Sequence, residues 1–335
     1  MKCFVTGGAG FIGSNLVDRL AAGGHRVTVY DNLSTGFHRF LECALATGKV
    51  SLFEGDILDL EKLTGAMDSH DIVFHLAANA DVRFGILDPQ RDLKQNTIGT
   101  SNVLEAMRRT GLRRIVFAST GAIYGESPVV PTPEDAPFPR QTSFYGASKL
   151  AGEALIEAYA EAYGIQGYIF RFVSILGERY HHGHVYDFYR QLQRQPTRLH
   201  VLGDGTQKKS YLYVGDCIEG ILVALEKARD PVNIFNLGTD EYCDVNTSIR
   251  WICERLGIQP RLEYEGGRRG WVGDNPFIVL DCSRIRALGW RPRLTIKEGI
   301  LRTLEYLISN PWVVDPPRRE RKRPSPHGEP HETEG

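Results

Sequence analysis

A tyrosine and a lysine stand four positions apart in the stretch from Ser143 to Lys149. If this stretch opens a helix, Tyr145 and Lys149 share one face, because residues i and i+4 of a helix are neighbours. A free tyrosine ionises near pH ~10, so it acts as a base at neutral pH only where a positive charge favours its phenolate. Lys149 is placed to supply that charge, and Tyr145 could then take a proton from a substrate hydroxyl. The same spacing is common on helix surfaces, so the pair gains meaning only from the segments around it.

A glycine-rich turn near the N-terminus predicts a dinucleotide site. An apolar strand over residues 2–6 precedes three spaced glycines, Gly7, Gly10 and Gly13, and a helical pattern follows. Glycines at this spacing allow a tight turn and let the backbone approach a pyrophosphate at the helix N-terminus. Asp31 ends the next strand, 18 positions after Gly13. An acid at this register binds the adenosine ribose of NAD and disfavours NADP, although Asp31 is also suited to opening the turn that follows it.

Strands and helices alternate over the first half of the chain. Further strands are predicted at residues 26–30, 50–53, 72–75, 114–118 and 167–172, and helices at 92–110 and from 145 onward. This alternation predicts an α/β fold, a doubly wound parallel (Rossmann) sheet with a smaller C-terminal α/β substrate lobe. We expect the NAD-binding domain at 1–174, with later returns of the chain, and the interleaved substrate lobe at 175–312. The tail at 316–335 has almost nothing apolar to pack, so we expect it to be disordered.

Composition narrows the classes of partner. A net charge of -1 over 335 residues gives no electrostatic reason to expect nucleic acid or an anionic membrane as partner. No apolar run approaches the ~20 residues that span a bilayer, and the N-terminus reads as a strand rather than a signal peptide, so a cytoplasmic location is predicted. His181, His182 and His184 have no carboxylate or cysteine at ligand spacing beside them. We therefore expect no metal and interpret these histidines as polar loop residues near the substrate.

Taken in order, these segments resemble the extended short-chain dehydrogenase/reductases, and among them the nucleotide-sugar epimerases of the UDP-glucose/UDP-galactose 4-epimerase type. The resemblance runs from Met1 to about Pro311. The motifs that carry it are Thr6-Gly7-Gly8-Ala9-Gly10-Phe11-Ile12-Gly13, Asp31-Asn32-Leu33-Ser34, Gly55-Asp56-Ile57, His75-Leu76-Ala77-Ala78, Asn96, Ser119-Thr120-Gly121-Ala122-Ile123-Tyr124-Gly125 and Tyr145-x-x-x-Lys149, followed in the second lobe by Gly203 to Val214 and Arg269 to Asp274.

The resemblance implies a role for each matching residue. Tyr145 matches the base that deprotonates the sugar 4-hydroxyl, and Thr120 matches the residue that relays this proton. Lys149 matches the lysine that binds the nicotinamide ribose and lowers the pKa of the tyrosine. Besides Tyr145 and Lys149, the positions that match NAD contacts are Gly7, Gly10, Phe11, Ile12, Asp31, Asn32, Asp56, Ile57, Leu76, Ala77, Ala78 and Asn96.

The nucleotide-sugar contacts implied by the resemblance, besides Thr120 and Tyr145, are Ser174, Lys209 and Arg269. Relatives commonly have Asn at the position of Ser174. Lys209 and Arg269 match cations that face the diphosphate, and charge-assisted hydrogen bonds suit that ligand. Lys209 stands where many relatives have Arg, so the bidentate fork is lost there.

The implied reaction is transient oxidation at C4 of a UDP-hexose. Hydride passes to NAD, the 4-keto sugar turns over, and hydride returns to its other face, so NAD is regenerated in each cycle. Sugar 4,6-dehydratases carry an Asp-Glu pair after the catalytic Thr, and related decarboxylases keep a Glu. This chain has Gly121 and Ala122 there, which favours plain C4 epimerisation. A uronic acid 4-epimerase, a 2-epimerase, a dehydrogenase and a non-catalytic NAD-binding regulator remain alternatives.

The resemblance also implies a homodimer. The helices near 92–110 and 145–163 are expected to form a four-helix interface with their counterparts in a second copy. The side chains expected on the interface are Leu104, Met107, Leu155 and Tyr159.

Overall fold

The computed structural model describes residues 1–137, 140–275 and 277–316. In these ranges the strands are β1 (Lys2–Thr6), β2 (Arg26–Asp31), β3 (Val50–Glu54), β4 (Ile72–His75), β5 (Arg114–Thr120), β6 (Gln166–Phe172), β7 (Ser174–Leu176), β8 (Arg198–Val201), β9 (Lys208–Lys209), β10 (Tyr211–Tyr213), β11 (Val232–Leu237), β12 (Cys243–Asp244), β13 (Arg261–Tyr264) and β14 (Phe277–Ile278). Of the predicted tail, residues 317–335 lie outside the described ranges.

Helices cover both faces of the central sheet and much of the second lobe. They are α1 (Phe11–Ala22), α2 (Glu42–Ala46), α3 (Leu60–Met67), α4 (Phe84–Leu87), α5 (Pro89–Asp92), α6 (Gly99–Thr110), α7 (Phe144–Tyr163), α8 (His184–Arg194), α9 (Val214–Lys227), α10 (Val245–Leu256), α11 (Ser283–Ala287), α12 (Ile296–Ser309) and α13 (Pro311–Val314), with 3-10 turns at His38–Leu41 and Gly121–Tyr124 and a π-helical segment at Leu93–Ile98. Among the described residues, none of these helices has the length and apolar character needed to cross a membrane.

A seven-stranded parallel sheet forms the centre of the molecule, in the order β11-β6-β5-β4-β1-β2-β3. The predicted doubly wound Rossmann sheet is therefore confirmed. The strand order reverses between β1 and β4, and ligands bind such sheets at the carboxyl edge beside this reversal. Strand β11 pairs with β6 although it lies beyond residue 174, so it is a return of the chain to the first domain.

Two of the three catalytic candidates, Tyr145 and Lys149, lie on α7. Ser143 caps this helix because its Oγ accepts a hydrogen bond from the Gly146 amide at 3.0 Å, and the helix ends at Gly164 in the left-handed conformation. The helix packs closely on the sheet at Gly152, where a Cβ atom would lie 2.8 Å from the Phe117 ring. The predicted placement of Tyr145 and Lys149 in the first two turns is confirmed.

The predicted helix at 92–110 is interrupted. It consists of α5, the π-helical segment and α6, and Asp88 caps its start by accepting a hydrogen bond from the Gln90 amide at 3.2 Å. Leu104 and Met107 are fully buried in a cluster with α3, so the expectation that they face a second copy is wrong. The apolar side chains exposed on this element are Leu93 and Ile98 instead.

A buried ion pair fastens α7 to the sheet. The Arg171 guanidinium of β6 donates to the Glu153 carboxylate of α7 at 2.7 Å, and both side chains are only 2% exposed. The Ser119 hydroxyl donates to the same carboxylate from β5. Two buried charges that satisfy each other fix the positions of the elements that carry them, and removal of one partner leaves the other charge unpaired.

The substitution R171M is expected to lower the free energy of unfolding by about 3–5 kcal/mol, because Glu153 is left as an isolated buried charge. Urea unfolding followed by circular dichroism measures this loss, and R171M/E153Q should recover part of it. The control is R19M, which removes the exposed pair of Arg19 and Glu219 and should cost less than about 1 kcal/mol. Equal losses in R171M and R19M would contradict this account of the pair.

Candidate functional site

A cavity of about 740 Å³ runs along the carboxyl edge of the sheet and is closed on its other side by the second lobe. This volume lies within the range of ligand sites. The predicted site residues that line it are Gly7, Gly10, Phe11, Ile12, Asp31, Asn32, Ile57, Leu76, Ala77, Ala78, Thr120, Tyr145, Lys149, Ser174 and Lys209. Asp56, Asn96 and Arg269 do not line it, and their surroundings are described below.

The glycine turn forms a cradle that side chains would fill. Gly7 has a φ of +70°, and a Cβ atom there would lie 2.6 Å from the Ala77 amide nitrogen. A Cβ atom on Gly13 would lie 2.1 Å from the Gly7 carbonyl oxygen. The backbone of β1, its turn and the segment after β4 can approach one another only because these positions lack side chains.

Asp31 joins this cradle to the end of β2. Its carboxylate accepts hydrogen bonds from the Ala9 amide at 2.9 Å and from the Leu33 amide at 2.8 Å, and burial raises its pKa. The bond to Leu33 is the turn-opening contact considered from the sequence. Asp31 also lines the cavity, so it can open the turn and contact a bound cofactor as well. A glycine cradle with an acid at the end of the neighbouring strand fits a bound NAD.

Asp56 acts at one remove from the cavity. Its carboxylate accepts from the Asn32 side chain at 3.0 Å and from the Leu58 amide at 2.9 Å. Asn32 lines the cavity, so Asp56 orients a cavity residue, and its direct contact with NAD stays a prediction.

Three residues of the predicted catalytic set meet on one wall of the cavity. The Thr120 side chain lies close enough to the Tyr145 phenol to lower its pKa. Lys149 is 2% exposed, and its ammonium donates to the Ala118 carbonyl at 2.8 Å and lies 4.7 Å from the centre of the Phe117 ring. Strand β5 supplies Thr120 and α7 supplies the other two, so the helix-to-sheet packing sets the geometry of the trio.

Burial dominates the electrostatics of this trio. It raises the pKa of Tyr145 to about 12, while the Thr120 side chain lowers it and the charge of Asp92 raises it further. Burial also lowers the pKa of Lys149 to about 8, against the opposing charges of Glu153 and Asp92. The Tyr145 pKa thus moves in the direction opposite to the sequence-based expectation, because the phenol is buried and the Lys149 ammonium is directed at the Ala118 carbonyl.

Asn96 lies behind α7 rather than on the cavity wall. It is 1% exposed, and its side-chain amide donates to the Ser148 hydroxyl at 2.9 Å. Ser148 in turn donates to the Tyr145 carbonyl oxygen at 2.8 Å. Asn96 therefore supports the first turn of α7, and its direct contact with NAD stays a prediction.

The two cations predicted for the diphosphate lie in different surroundings. Lys209 lines the cavity, but its ammonium contacts the buried Asp274 carboxylate at 2.5 Å. Arg269 is about half exposed and pairs with Glu126, and it does not line the cavity. The structure therefore brings one of the two predicted cations to the cavity, already neutralised by an acid.

The sequence reasoning missed a charged cluster on the cavity wall. Arg83, in the loop after β4, contacts Asp81 at 2.9 Å and Asp187 of α8 at 3.6 Å. His181, His182 and His184 also line the cavity, and burial together with Lys209 lowers the pKa of His184 to about 3. The signal that could have found this wall is the polar i, i+3, i+7 and i+10 spacing on α8, which is His184, Asp187, Gln191 and Arg194.

Comparison with known proteins identifies a family and similar proteins of known sequence. A family model described as the NAD dependent epimerase/dehydratase family matches residues 3–238. The chain is 35% identical to a putative UDP-glucose 4-epimerase of Methanocaldococcus jannaschii over 313 residues, which cover 91% of this chain and 98% of the relative. It is 34% identical to the UDP-glucose 4-epimerase of Mycolicibacterium smegmatis with the same coverage.

Solved structures of proteins that are named for different sugars share the fold of this chain. The UDP-glucose 4-epimerase of Thermotoga maritima, with UDP-glucose, has a TM-score of 0.83 at 34% identity and covers 92% of this chain and 99% of its own. The UDP-glucuronic acid 4-epimerase of Bacillus cereus, in complex with UDP-glucuronic acid and NAD, has a TM-score of 0.85 at 26% identity with the same coverage.

The substitution G13A is expected to weaken NAD binding at least about tenfold, a loss of roughly 1.4 kcal/mol. The added methyl group would meet the Gly7 carbonyl at 2.1 Å and force the cradle apart. Calorimetric titration of NAD into the cofactor-stripped protein measures the loss, and a melting curve confirms that the variant folds. G65A is the control, since a Cβ there meets nothing within 4 Å. NAD affinity that is unchanged in folded G13A would refute the cradle.

Proposed function

Because this chain belongs to the NAD dependent epimerase/dehydratase family and uses NAD, we propose that it is a nucleotide-sugar 4-epimerase that inverts C4 of a UDP-hexose of the UDP-glucose/UDP-galactose type. The observation that carries the proposal is that Thr120, Tyr145 and Lys149 line the same cavity, with Lys149 one turn further along α7 than Tyr145. A hydroxyl relay and a phenol at one point of the wall suit the removal of a proton from a sugar hydroxyl.

Each protein group has a defined task in this reaction. Tyr145 takes the proton of the sugar 4-hydroxyl, and the Thr120 hydroxyl holds that oxygen and stabilises the phenolate, as the lowering effect of Thr120 on the Tyr145 pKa supports. Lys149 supplies positive charge beside the reacting atoms. The glycine turn and Asp31 would hold NAD, which would supply the hydride acceptor and donor for C4. No acid stands at Gly121 or Ala122 to act at C5 or C6, which supports simple inversion over dehydration.

A uronic acid 4-epimerase is the second candidate, and Arg83 is the observation in its favour. Arg83 lines the cavity and is 44% exposed, so it could meet a sugar carboxylate. Its guanidinium is already held by Asp81 and Asp187, so a sugar carboxylate would have to compete with these two acids for it. This competition favours a neutral hexose over a uronate.

The purified protein is expected to interconvert UDP-glucose and UDP-galactose without net formation of NADH. Proton NMR of reactions with these two sugars, their N-acetyl forms and UDP-glucuronate measures the products. The substitution Y145F should reduce kcat by at least about 100-fold, because the proton acceptor is lost. Y163F, at the far end of the same helix and 45% exposed, should leave kcat unchanged.

The outcomes of this assay separate the alternatives. Inversion of UDP-glucuronate alone would select the uronic acid epimerase, and accumulation of NADH would select a dehydrogenase. Inertness toward all five sugars, with NAD still bound, would overturn the proposal and favour a binding protein. Full activity in Y145F would remove Tyr145 from the mechanism.

We further propose a homodimer through α6, α7 and the π-helical segment between α5 and α6. Leu93 and Ile98 expose apolar side chains there, and Leu155 and Tyr159 of α7 are half-buried. The substitution I98E is expected to convert the dimer to a monomer, because a buried unpaired charge is costly at an interface. Analytical ultracentrifugation measures the mass, with I308E on α12 as an exposed apolar control. Wild-type protein that sediments as a monomer at micromolar concentration would exclude the dimer.

A further inference from the structure

Asp92 is a buried acid that the proposed reaction does not use. It ends α5, directly before the π-helical segment, and is 1% exposed. One carboxylate oxygen, Oδ1, accepts from the side chains of Asn79 at 2.7 Å and Asn96 at 3.2 Å. The other oxygen, Oδ2, has no hydrogen-bond partner among the described residues. Burial of a carboxylate held only by amides is costly, so a compensating interaction is expected.

The approach of this carboxylate depends on a glycine. A Cβ atom on Gly85 would lie 2.1 Å from Asp92 Oδ2, so α4 passes close to the acid at a position that has no side chain. The loop between β4 and α4 supplies Asn79, whose amide nitrogen donates to Asn96 Oδ1 at 2.8 Å. Asp92 is thus enclosed by the loop on one side and by the π-helical segment on the other.

A chain of hydrogen bonds leads from Asp92 to the catalytic tyrosine. Asn96 Nδ2, which donates to Asp92, also donates to Ser148 Oγ at 2.9 Å, and Ser148 Oγ donates to the Tyr145 carbonyl at 2.8 Å. The orientation of the Asn96 side chain is set by its contacts with Asp92 and Asn79. The position of the first turn of α7 therefore depends on the acid.

Charge gives a second link, to Lys149. This lysine is 2% exposed, and its ammonium donates to a neutral carbonyl, that of Ala118. Glu153 stands one turn along the same helix, but its charge is matched by Arg171 of β6. His75 of β4, which also faces Lys149, is buried and neutral at physiological pH since its pKa is lowered to about 3. Asp92, next to Arg91 on α5, is a second buried anion that acts on Lys149.

We propose that Asp92 is a positioning residue for the catalytic pair: through Asn96 and Ser148 it fixes the start of the helix that carries Tyr145, and its negative charge balances that of Lys149 inside the protein. The catalytic role of this pair rests on the proposed function, whereas the contacts and the charge balance concern the folded chain alone.

The charge has a predictable effect on two titrations. A carboxylate disfavours ionisation of a nearby phenol and favours protonation of a nearby amine, so Asp92 raises the pKa of both Tyr145 and Lys149. Its neutralisation must lower both. A purely structural role through hydrogen bonds would leave both titrations where they are, because the amide of Asn accepts hydrogen bonds as the carboxylate does.

The test compares D92N with D88N in the holoenzyme. Asp88 belongs to the cap of the same helix and is exposed, so D88N makes the same charge change outside the protein interior. NMR of 13C-labelled lysine, with K149R to identify the signal, follows the Lys149 titration. We expect D92N to lower the midpoint by roughly 0.5–1 pH unit relative to wild type and D88N to leave it unchanged. Coincident midpoints in folded D92N and wild type would overturn the proposal.

A double-mutant cycle keeps the proposal testable if D92N is too unstable to titrate. Urea unfolding is measured for wild type, D92N, K149M and D92N/K149M. If the two charges balance each other, the double variant must lose less stability than the sum of the single losses. Additive losses would overturn the charge balance. Neither measurement involves a sugar, so the failure of the sugar assay and the failure of this proposal are separate results.

Discussion

The buried pair of Glu153 and Arg171 is the contact on which the geometry of the site depends. Besides Glu153, the Arg171 guanidinium donates to the Tyr124 hydroxyl and the Glu134 carbonyl, each at 2.7 Å. It therefore joins β6, α7 and the turn after β5 in one place. A guanidinium has donors in a rigid plane, so its partners have little freedom to shift. Thr120 follows the Ser119 that donates to Glu153, and this shared anchor lets Thr120 and Tyr145 meet.

Two cations on the cavity wall are paired with acids of the protein itself. Lys209 is held by Asp274, and Arg83 is held by Asp81 and Asp187. An anionic ligand must compete with the acid for such a cation. The binding free energy that it gains is therefore the difference between the two interactions. Pairs of this kind contribute more to discrimination between ligands than to affinity, because an ill-fitting ligand disturbs a pair without replacing it.

The sequence predicted what short-range chemistry dictates. The glycine turn, the acid at the end of β2 and the helix that opens near Tyr145 each depend on a few neighbouring residues, and all lie where they were expected. The pairing of β11 with β6 depends on contacts across more than 60 residues, which no local pattern records. The partner of Arg269 is Glu126, 143 positions away. No pattern in either segment predicted that Arg269 pairs there and does not line the cavity. Burial of Leu104 followed from which face of α6 meets α3.

The two walls of the cavity differ in the elements that supply their residues. Thr120, Tyr145 and Lys149 come from β5 and α7, which are fixed by the sheet and by buried polar contacts. The opposite wall comes from α8, short strands and the loop at 270–275, where Asp187 is partly exposed and Asp274 is buried. In the proposed reaction, changes in that wall would alter which sugar fits without moving Thr120, Tyr145 or Lys149. This separation gives a physical reason why similar folds, with TM-scores of 0.83 and 0.85, carry names that refer to different sugars.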